Sequence, residues 1–423
     1  SWCRRWSSAV VTLPGSDPLI GLRRFLGRRS IGRDGELVPI PATFPKTSFE
    51  RLRIMIRYRR IAGVGLALTM LVAGCGHSSS ASQGPATSSP QVPSVAATST
   101  SLTSATSQAA RALPNPHSLR GLTEVPEPSD PKPVEGSSAQ KLPVTVTDVE
   151  GNKVTITSTS RILALDLYGT LSRTLIGLGL GDNIVGRTVS STEKQLHHRP
   201  VVTENGHVLN VEAIAGLKPS VIIADRSVGP KEALDQLRKS GIPVVLVDPH
   251  RSVSSTPELI RTIANAVGKP AAGEALVKRT QEQISQAKKQ IAAWKPAKPM
   301  RVAFLYVRGN AGVFFILGSE NGASELIQGV GADDVASDKG IKTLVPANAE
   351  SLVSINPDAI FVMRDGLSST GGMKGLLARA GVANTTAGRK QRVIAIPDGI
   401  SLSFGPQTGE ILTAVAKALY GVK

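Results

Sequence analysis

The stretch from Ala271 to Trp294 constrains the fold more than any other part of this sequence. It runs for about 24 residues without a proline, which corresponds to a helix roughly 36 Å long. Pro270 separates it from an earlier helix that starts near Thr256-Pro257, and Pro296 ends it. A single helix of this length is enough to bridge two lobes. The sequence therefore predicts two folded bodies joined by one spine helix.

On both sides of the spine, short apolar runs alternate with short helical segments, which is typical of a parallel α/β sheet. The second half repeats the first: residues 209–224 and 349–363 each contain an acidic helix start, a Lys-Pro or Asn-Pro stop and a buried strand. We therefore predict two Rossmann-like lobes, at 142–253 and 296–423, joined by a helical linker at 254–295. Ligands of such sheets bind beyond the carboxyl ends of the strands, so facing lobes would form a cleft.

An export signal precedes the predicted lobes. From Met55, three arginines lead into a short apolar run that ends in Val72-Ala-Gly-Cys75 and is too short to span a bilayer stably. It resembles a bacterial lipoprotein signal. This implies that residues 55–74 are removed, that Cys75 is lipidated, and that the mature protein is extracytoplasmic and anchored to the cell membrane. An ordinary cleaved signal or a membrane anchor helix is the alternative. Residues 1–54 form a leader of doubtful role.

Residues 75–141 are predicted to form a disordered tether, because Ser, Thr, Ala and Pro dominate them and little apolar material is available to bury. His77 and His117 lie in this segment and are expected to be solvated. Cys3 is the only cysteine besides Cys75. The mature chain therefore has no disulfide framework and no thiolate metal site.

The charge of the mature chain is moderate. The formal net charge is +17, but residues 1–75 contain 13 Lys and Arg against 4 Asp and Glu, so the remainder carries +8. A moderately basic exported protein suits an acidic ligand or an anionic cell surface. No nucleic-acid-binding motif is present, and nucleic acid is not expected as a partner.

Two short motifs supply candidate metal ligands, one in each predicted lobe. His207 lies in a polar turn before a helix that Asn210 is placed to cap, where the helix N-terminus favours the neutral imidazole that binds metal. Tyr306 and Arg308 are two apart on a predicted strand, so both can lie on one side of it, and the guanidinium would stabilise a phenolate. Imidazole and phenolate could hold one ferric iron from opposite faces. A turn histidine and a core tyrosine are the structural alternatives, and Arg308 could instead pair with a propionate.

About two thirds of the chain, Leu142–Lys423, resembles the class III substrate-binding proteins of ABC importers, which take siderophores, haem and cobalamin. The markers are the spine and four motifs, Arg161–Asp166, Gly177–Gly186, Lys218-Pro219 and Asn356–Asp358. Within that family the chain is similar to the haemin-binding lipoproteins of corynebacterial-type importers. Three segments carry this second resemblance: Asn205–His207, Tyr306–Gly309 and Leu402–Gly409.

The second resemblance implies that haem is the ligand and assigns roles to single residues. His207 and Tyr306 would ligate the haem iron from opposite lobes, with Arg308 supporting Tyr306. Met363 and Phe404 are possible pocket residues. A further pocket tyrosine of those relatives, expected near residues 341–343, is absent here.

The family resemblance also implies partners. An ABC permease and its ATPase would receive the haem, and in the family an acidic residue on each lobe engages arginines of the permease. Glu193 and Glu325 occupy suitable positions, although each could be an ordinary surface charge. The spine would limit lobe closure, and we expect a monomer.

A ferric-siderophore or cobalamin receptor on the same fold is the alternative function. A siderophore site would need several arginines in the cleft and no axial His–Tyr pair, and Arg226, Arg308 and Arg364 are available as anion contacts.

An enzyme, such as a metal-insertion protein on a similar scaffold, is not predicted. None of the common hydrolase, zinc-protease or P-loop motifs is present. Asp225 and Asp248 follow predicted strands but lack a credible basic partner. A purely structural wall-anchored module would leave the pairing of His207 with Tyr306 unexplained.

Overall fold

The computed structural model describes residues 113–423. The strands are β1 (Leu122–Glu124), β2 (Val144–Thr147), β3 (Lys153–Ile156), β4 (Ile162–Leu165), β5 (Ile184–Gly186), β6 (Thr203–Glu204), β7 (Val208–Leu209), β8 (Val221–Ala224), β9 (Val244–Leu246), β10 (Arg301–Arg308), β11 (Val313–Ile316), β12 (Asp333–Asp334), β13 (Val345–Pro346), β14 (Ala359–Met363) and β15 (Val393–Ile396). The α-helices are α1 (Thr170–Gly177), α2 (Val211–Gly216), α3 (Lys231–Lys239), α4 (Thr256–Ala266), α5 (Pro270–Trp294), α6 (Ala323–Gly329), α7 (Val335–Asp338), α8 (Ala349–Ile355), α9 (Arg364–Ser369), α10 (Gly372–Leu377), α11 (Thr386–Lys390) and α12 (Thr408–Tyr420).

The N-terminal lobe is built on a four-stranded parallel sheet in the order β5-β4-β8-β9. Because side chains alternate along a strand, β4 sends Ile162 and Ala164 to one face and Leu163 and Leu165 to the other. The first face packs on helices α1 and α4, and the second on α2 and α3. Both faces are covered, which explains the continuous apolar runs of these strands.

The C-terminal lobe contains a seven-stranded mixed sheet in the order β1-β15-β14-β10-β11-β13, with β12 beside β10. Strands β1, β15, β14 and β10 are parallel, whereas β11 and β13 run antiparallel to their neighbours. Phe304 and Phe361 face the spine side of this sheet and pack edge to face, with their ring centroids 6.5 Å apart. Leu305 and Val362 face the opposite side, against α8, α10 and α11.

Helix α5 is the predicted spine and joins the two lobes. It runs from Pro270 to Trp294, one residue longer than predicted, with Pro270 in its first turn. It packs against α4 on one side and α12 on the other. Gly409 lets α12 come close, because a Cβ there would lie 2.5 Å from the carbonyl carbon of Gln283. The prediction of two α/β lobes and one spine helix is confirmed. Within 113–423, none of the helices is both long enough and apolar enough to cross a membrane.

The prediction of a disordered tether is wrong for residues 113–141. Strand β1 completes the C-terminal sheet, with Leu122 paired to Val393 of β15. The following segment, residues 125–141, crosses to the N-terminal lobe, and we call it the strap. Val125 lies in the C-terminal core and Val134 in the N-terminal core. The folded region therefore begins well before Leu142.

Hydrogen bonds hold the strap in place, which is why its polar composition wrongly predicted disorder. The carboxylate of Asp130 accepts from the backbone N–H groups of Lys194 and Gln195, both at 2.8 Å. Arg279 of the spine donates to the carbonyl of Lys132 at 2.7 Å. A segment held by such bonds needs few apolar residues. His117, expected to be solvated, has Nε2 2.9 Å from the carbonyl of Lys298. The leader, the signal peptide, Cys75 and the first part of the tether lie outside the described residues.

Candidate functional site

A cavity of about 400 Å³ lies between the lobes, at the carboxyl ends of β4, β10, β14 and β15. Its lining residues from the N-terminal lobe are Leu167, Tyr168, Val189, Ser190, Asn205, Gly206 and His207. Those from the C-terminal lobe are Tyr306, Arg308, Leu317, Met363, Asp365, Asp398, Ser401 and Leu402. The walls are mostly apolar, with a few convergent polar groups, as is typical of a small-molecule site. His207, Tyr306, Arg308 and Met363 thus meet in one cavity.

A tight turn places His207 on the N-terminal wall. Strands β6 and β7 form a two-stranded ribbon, and Asn205 (φ 48°) and Gly206 (φ 87°) make the left-handed turn before His207. The carbonyl of His207 accepts from the N–H of Gly229 at 2.9 Å, which ties the ribbon to the lobe. Asn210 caps α2 as predicted, with Oδ1 accepting from the N–H of Ala213 at 2.9 Å. The backbone that carries the imidazole of His207 is therefore held on both sides by hydrogen bonds.

Strand β10 places Tyr306 and Arg308 on the opposite wall. They are two residues apart, so they lie on the same side of the strand, and both are half-buried. The Nε of Arg308 donates to the phenolic oxygen of Tyr306 at 3.3 Å, and its guanidinium carbon is 5.3 Å from the ring centroid. Burial opposes the charge of Arg308, but Tyr306 and Asp398 outweigh it and raise the pKa of the guanidinium. Arg308 is therefore a permanent cation beside the phenol.

Asp398 and Met363 complete the surroundings of Arg308. Its Nη2 forms an ion pair with Oδ2 of Asp398 and lies 3.4 Å from Sδ of Met363. Asp398 follows β15 and Met363 ends β14, so the carboxyl ends of neighbouring strands bring them together. The sequence analysis did not single out Asp398. A polar residue just beyond the end of a buried strand, here after Pro397, was the signal that could have found it.

A buried charge cluster underlies the cavity at Tyr168, which the sequence analysis also missed. The guanidinium carbon of Arg251 is 5.2 Å from the ring centroid of Tyr168. The same guanidinium forms ion pairs with Asp225 and, at 3.5 Å, with Asp166. Asp225 thus has a basic partner, and the statement that it lacks one is wrong. Burial raises the pKa of Asp225 to about 6, Arg251 opposes the rise, and Asp166 adds to it.

Phe404 does not line the cavity. It is buried in the C-terminal core, and its carbonyl accepts from Oγ1 of Thr256 at 3.0 Å where the two lobes meet. Its backbone is left-handed (φ 36°) and its ring belongs to the core, which residue type alone does not reveal. The prediction of a pocket role for Phe404 is therefore wrong.

Glu193 is also misplaced by the sequence analysis, because it is a core residue and not a surface charge. It is 1% exposed, accepts from Oγ of Ser172 at 2.6 Å, and lies 3.8 Å from Nε of Arg173. A carboxylate so covered cannot engage a partner protein. Glu325 is half-buried, accepts from the N–H of Val253 at 3.1 Å, and lines an open groove beside the spine.

Two of the three arginines offered as anion contacts lie outside the cavity. Arg226 is paired with Glu150 at 2.8 Å and with Asp235 at 3.0 Å. Arg364 is paired with Glu127 at 2.7 Å. Arg308 is thus the one arginine among the cavity-lining residues of the described chain.

The family model for periplasmic binding proteins matches residues 167–399, more than half of the chain. The chain belongs to the periplasmic binding protein family. The matched region contains the cavity walls up to Asp398 and the whole spine helix, so the family assignment covers the parts from which the cleft is built.

The chain is similar to several known binding and transport proteins. The crystal structure of the heme binding protein HmuT is 49% identical, with a TM-score of 0.71, over 73% of this chain and 100% of that one. The ABC transporter substrate-binding lipoprotein YvrC of Bacillus subtilis is 25% identical over 69% of this chain and 91% of its own. A cobalamin-binding protein of Halobacterium salinarum is also 25% identical, over 68% of this chain and 76% of its own.

HmuT has additionally been solved as three alanine variants, which replace a His, a Tyr and an Arg. In that chain the His precedes the Tyr by 99 positions, and the Tyr precedes the Arg by two. The same spacings separate His207, Tyr306 and Arg308 in this one.

Proposed function

We propose that this protein captures ferric haem in the interlobe cavity and delivers it to an ABC permease for iron uptake. The observation that carries the proposal is the arrangement of His207 on one wall of the cavity and Tyr306, hydrogen-bonded to Arg308, on the other. Haem is the transported ligand. We assign it as a receptor and not as an enzyme because the matched family consists of periplasmic binding proteins and the similar solved structure is of a heme binding protein.

His207 and Tyr306 are the proposed iron ligands. Neutral imidazole and phenolate are both used by proteins to hold haem iron. A phenolate needs its charge balanced, and Arg308 is a cation within hydrogen-bond reach of the Tyr306 oxygen. Apolar residues, among them Leu167, Leu317 and Leu402, line the same cavity and suit the faces of a porphyrin. Met363 adds a polarizable contact beside Arg308.

The partners of Arg308 favour a role toward Tyr306 over a role toward a propionate. Its Nε faces the phenol and its Nη2 faces Asp398, so the guanidinium is already committed at both ends. The matching spacing in the HmuT variants supports the same three residues. A siderophore receptor is less well supported, because Arg226 and Arg364 are paired elsewhere.

The cellular setting is part of the proposal. Cys75 would carry the lipid that anchors the protein outside the cytoplasmic membrane, where the permease and its ATPase receive the haem. Of the two docking candidates, only Glu325 is retained, because Glu193 is buried. The protein would act as a monomer.

The test is a titration of haemin into the purified protein, followed through the Soret and charge-transfer bands. We expect saturation at one haem per protein, with spectra that change in both His207→Ala and Tyr306→Phe. His198→Ala is the matched control, because His198 is exposed and outside the cavity. Spectra indifferent to His207 and Tyr306 would reject these ligands. Binding of cobalamin or a ferric siderophore in place of haemin would move the protein to another branch of the family.

A further inference from the structure

Asp398 lies at the centre of a contact set that the iron-ligand assignment does not explain. Its Oδ2 forms the ion pair with Nη2 of Arg308, while its Oδ1 accepts from the N–H of Asp365 at 2.8 Å. Each carboxylate oxygen thus has a separate partner. One oxygen fixes Asp398 to the start of α9, and the other is left for the guanidinium.

The loop that carries Asp398 is itself wedged against the N-terminal lobe. At the next residue, Gly399, a Cβ would lie 2.3 Å from Oγ1 of Thr192 and 2.8 Å from the carbonyl oxygen of Ser190. Further along, the carbonyl of Ser403 accepts from Oγ1 of Thr170. Asp398 is therefore fixed to α9 through its own carboxylate, and the loop that carries it is in close contact with the N-terminal lobe, so its position is restrained.

Arg308 needs such an anchor to act on Tyr306. An arginine side chain has several rotatable bonds and loses considerable entropy when it is fixed. Its hydrogen bond to the phenolic oxygen is long, at 3.3 Å, and does not by itself define one orientation. Because the guanidinium is planar, fixing Nη2 at Asp398 also fixes the direction in which Nε points.

We propose that Asp398 is a positioning residue for the iron ligand Tyr306, acting through Arg308. It holds the guanidinium so that Nε faces the phenolic oxygen, and the phenolate forms opposite a cation that is already in place. This inference rests on the proposed haem function. It adds a residue that touches neither the iron nor Tyr306 but sets the strength of the tyrosine ligand.

The decisive variant is Asp398→Asn, because the amide oxygen can still accept from Asp365 while the charge that holds Arg308 is removed. We expect haemin to bind roughly fivefold to tenfold more weakly, within the range of coupling energies measured for contacting residues. The tyrosinate charge-transfer band should shift in the direction seen in Arg308→Ala. Glu127→Gln is the control, because it removes the carboxylate of the strap that pairs with Arg364, and neither residue lines the cavity.

A double-mutant cycle separates positioning from a general structural role. In the Arg308→Ala background, Asp398→Asn should change haemin affinity by less than about twofold, because its route of action is gone. An equal loss in both backgrounds, tighter binding, or weaker binding with an unshifted band would overturn the proposal.

A crystal structure of ligand-free Asp398→Asn gives a readout that does not depend on haem. The distance from Nε of Arg308 to the Tyr306 oxygen should lengthen beyond hydrogen-bond range, and an unchanged distance would overturn the inference. If the wild-type protein bound no haemin, the proposed function would fail, and this structure would still decide whether Asp398 orients Arg308. Should Asp398→Asn fold poorly, Asp398→Ser serves the same comparison.

Discussion

Arg308 lies two residues beyond Tyr306 on strand β10, and its Nε donates to the Tyr306 oxygen at 3.3 Å while its Nη2 pairs with Asp398. One side chain thus connects a candidate iron ligand with a loop that contacts the opposite lobe. The guanidinium uses two different nitrogens for these contacts. Its shape therefore matters as much as its charge.

Arg308→Lys should behave almost like Arg308→Ala. An ammonium is a single point charge and cannot face Tyr306 and Asp398 with two separately fixed donors. We expect both variants to bind haemin at least tenfold more weakly than the wild type, as measured by Soret titration. Arg364→Lys, outside the cavity, should leave binding unchanged. Full retention of affinity in Arg308→Lys would show that charge alone is sufficient.

Gly399→Ala should weaken both the lobe contact and haem binding. The new Cβ would lie 2.3 Å from Oγ1 of Thr192, and overpacking of this kind costs about 1–3 kcal/mol. The displaced loop would also move Asp398. Urea unfolding and haemin titration measure the two effects. Gly216→Ala is the control, because nothing lies within 4 Å of its added Cβ. Equal stability of the two variants would contradict the close contact.

Asp130→Ala should destabilise the protein by about 0.5–1.5 kcal/mol, because two backbone N–H groups, those of Lys194 and Gln195, lose their acceptor. Glu135→Ala in the same strap should stay within about 0.5 kcal/mol, because Glu135 is exposed. Chemical denaturation of both variants provides the measurement. Indistinguishable midpoints would mean that the two hydrogen bonds of Asp130 contribute nothing measurable to stability.

The contribution of Asp225 to the stability of the protein should decrease as the pH rises from about 4 to about 6. Its pKa is raised from 3.8 to about 6 in the folded protein, chiefly by burial, so the folded state binds the proton that the unfolded state has released. Stability decreases with pH wherever the folded state holds more protons. Asp225→Asn cannot titrate, so its unfolding free energy should fall less over this range.

Glu150→Gln tests a pH dependence of the opposite sign, because the pKa of Glu150 is lowered whereas that of Asp225 is raised. The hydrogen bond from Arg226 lowers the pKa of Glu150, so its ionised form stabilises the folded state above the ordinary value of 4.5, and that contribution is lost in acid. Urea unfolding at several pH values should show that Glu150→Gln is less stable than the wild type at neutral pH and equally stable at low pH. Parallel pH profiles for wild type and Asp225→Asn would refute the role given to Asp225.

The spine and the spacing of Tyr306 and Arg308 could be predicted because each depends on local periodicity. A proline-free stretch of helical length folded as expected from Pro270 to Trp294, and two residues two apart on a strand share a side. The lobes followed from the alternation of strands and helices. Such patterns depend only on residues that are close together in the sequence, so a single sequence is enough to recognise them.

The roles of Asp398 and Tyr168 could not be predicted from the sequence, because the residues around them come from distant segments. Asp398 meets Arg308 across 90 positions of the chain. Glu193 was expected at the surface because charged residues usually are, but Ser172 and Arg173 supply partners that allow it to be buried. The strap was missed for a related reason. Its hydrogen bonds connect it to groups that are distant in the sequence, and amino-acid composition does not reveal them.

The pairing of β1 with β15 has a consequence for the order in which the protein can be assembled. Leu122 and Val393 are partners separated by about 270 positions, so the C-terminal sheet gains its edge strand only after the chain has been made as far as β15. The N-terminal sheet uses strands between Ile162 and Leu246 and needs no such wait. Contacts of long sequence separation form slowly. The sheet that carries Tyr306 and Arg308 can therefore be completed only later than the N-terminal sheet, and the proposed haem site depends on that completion.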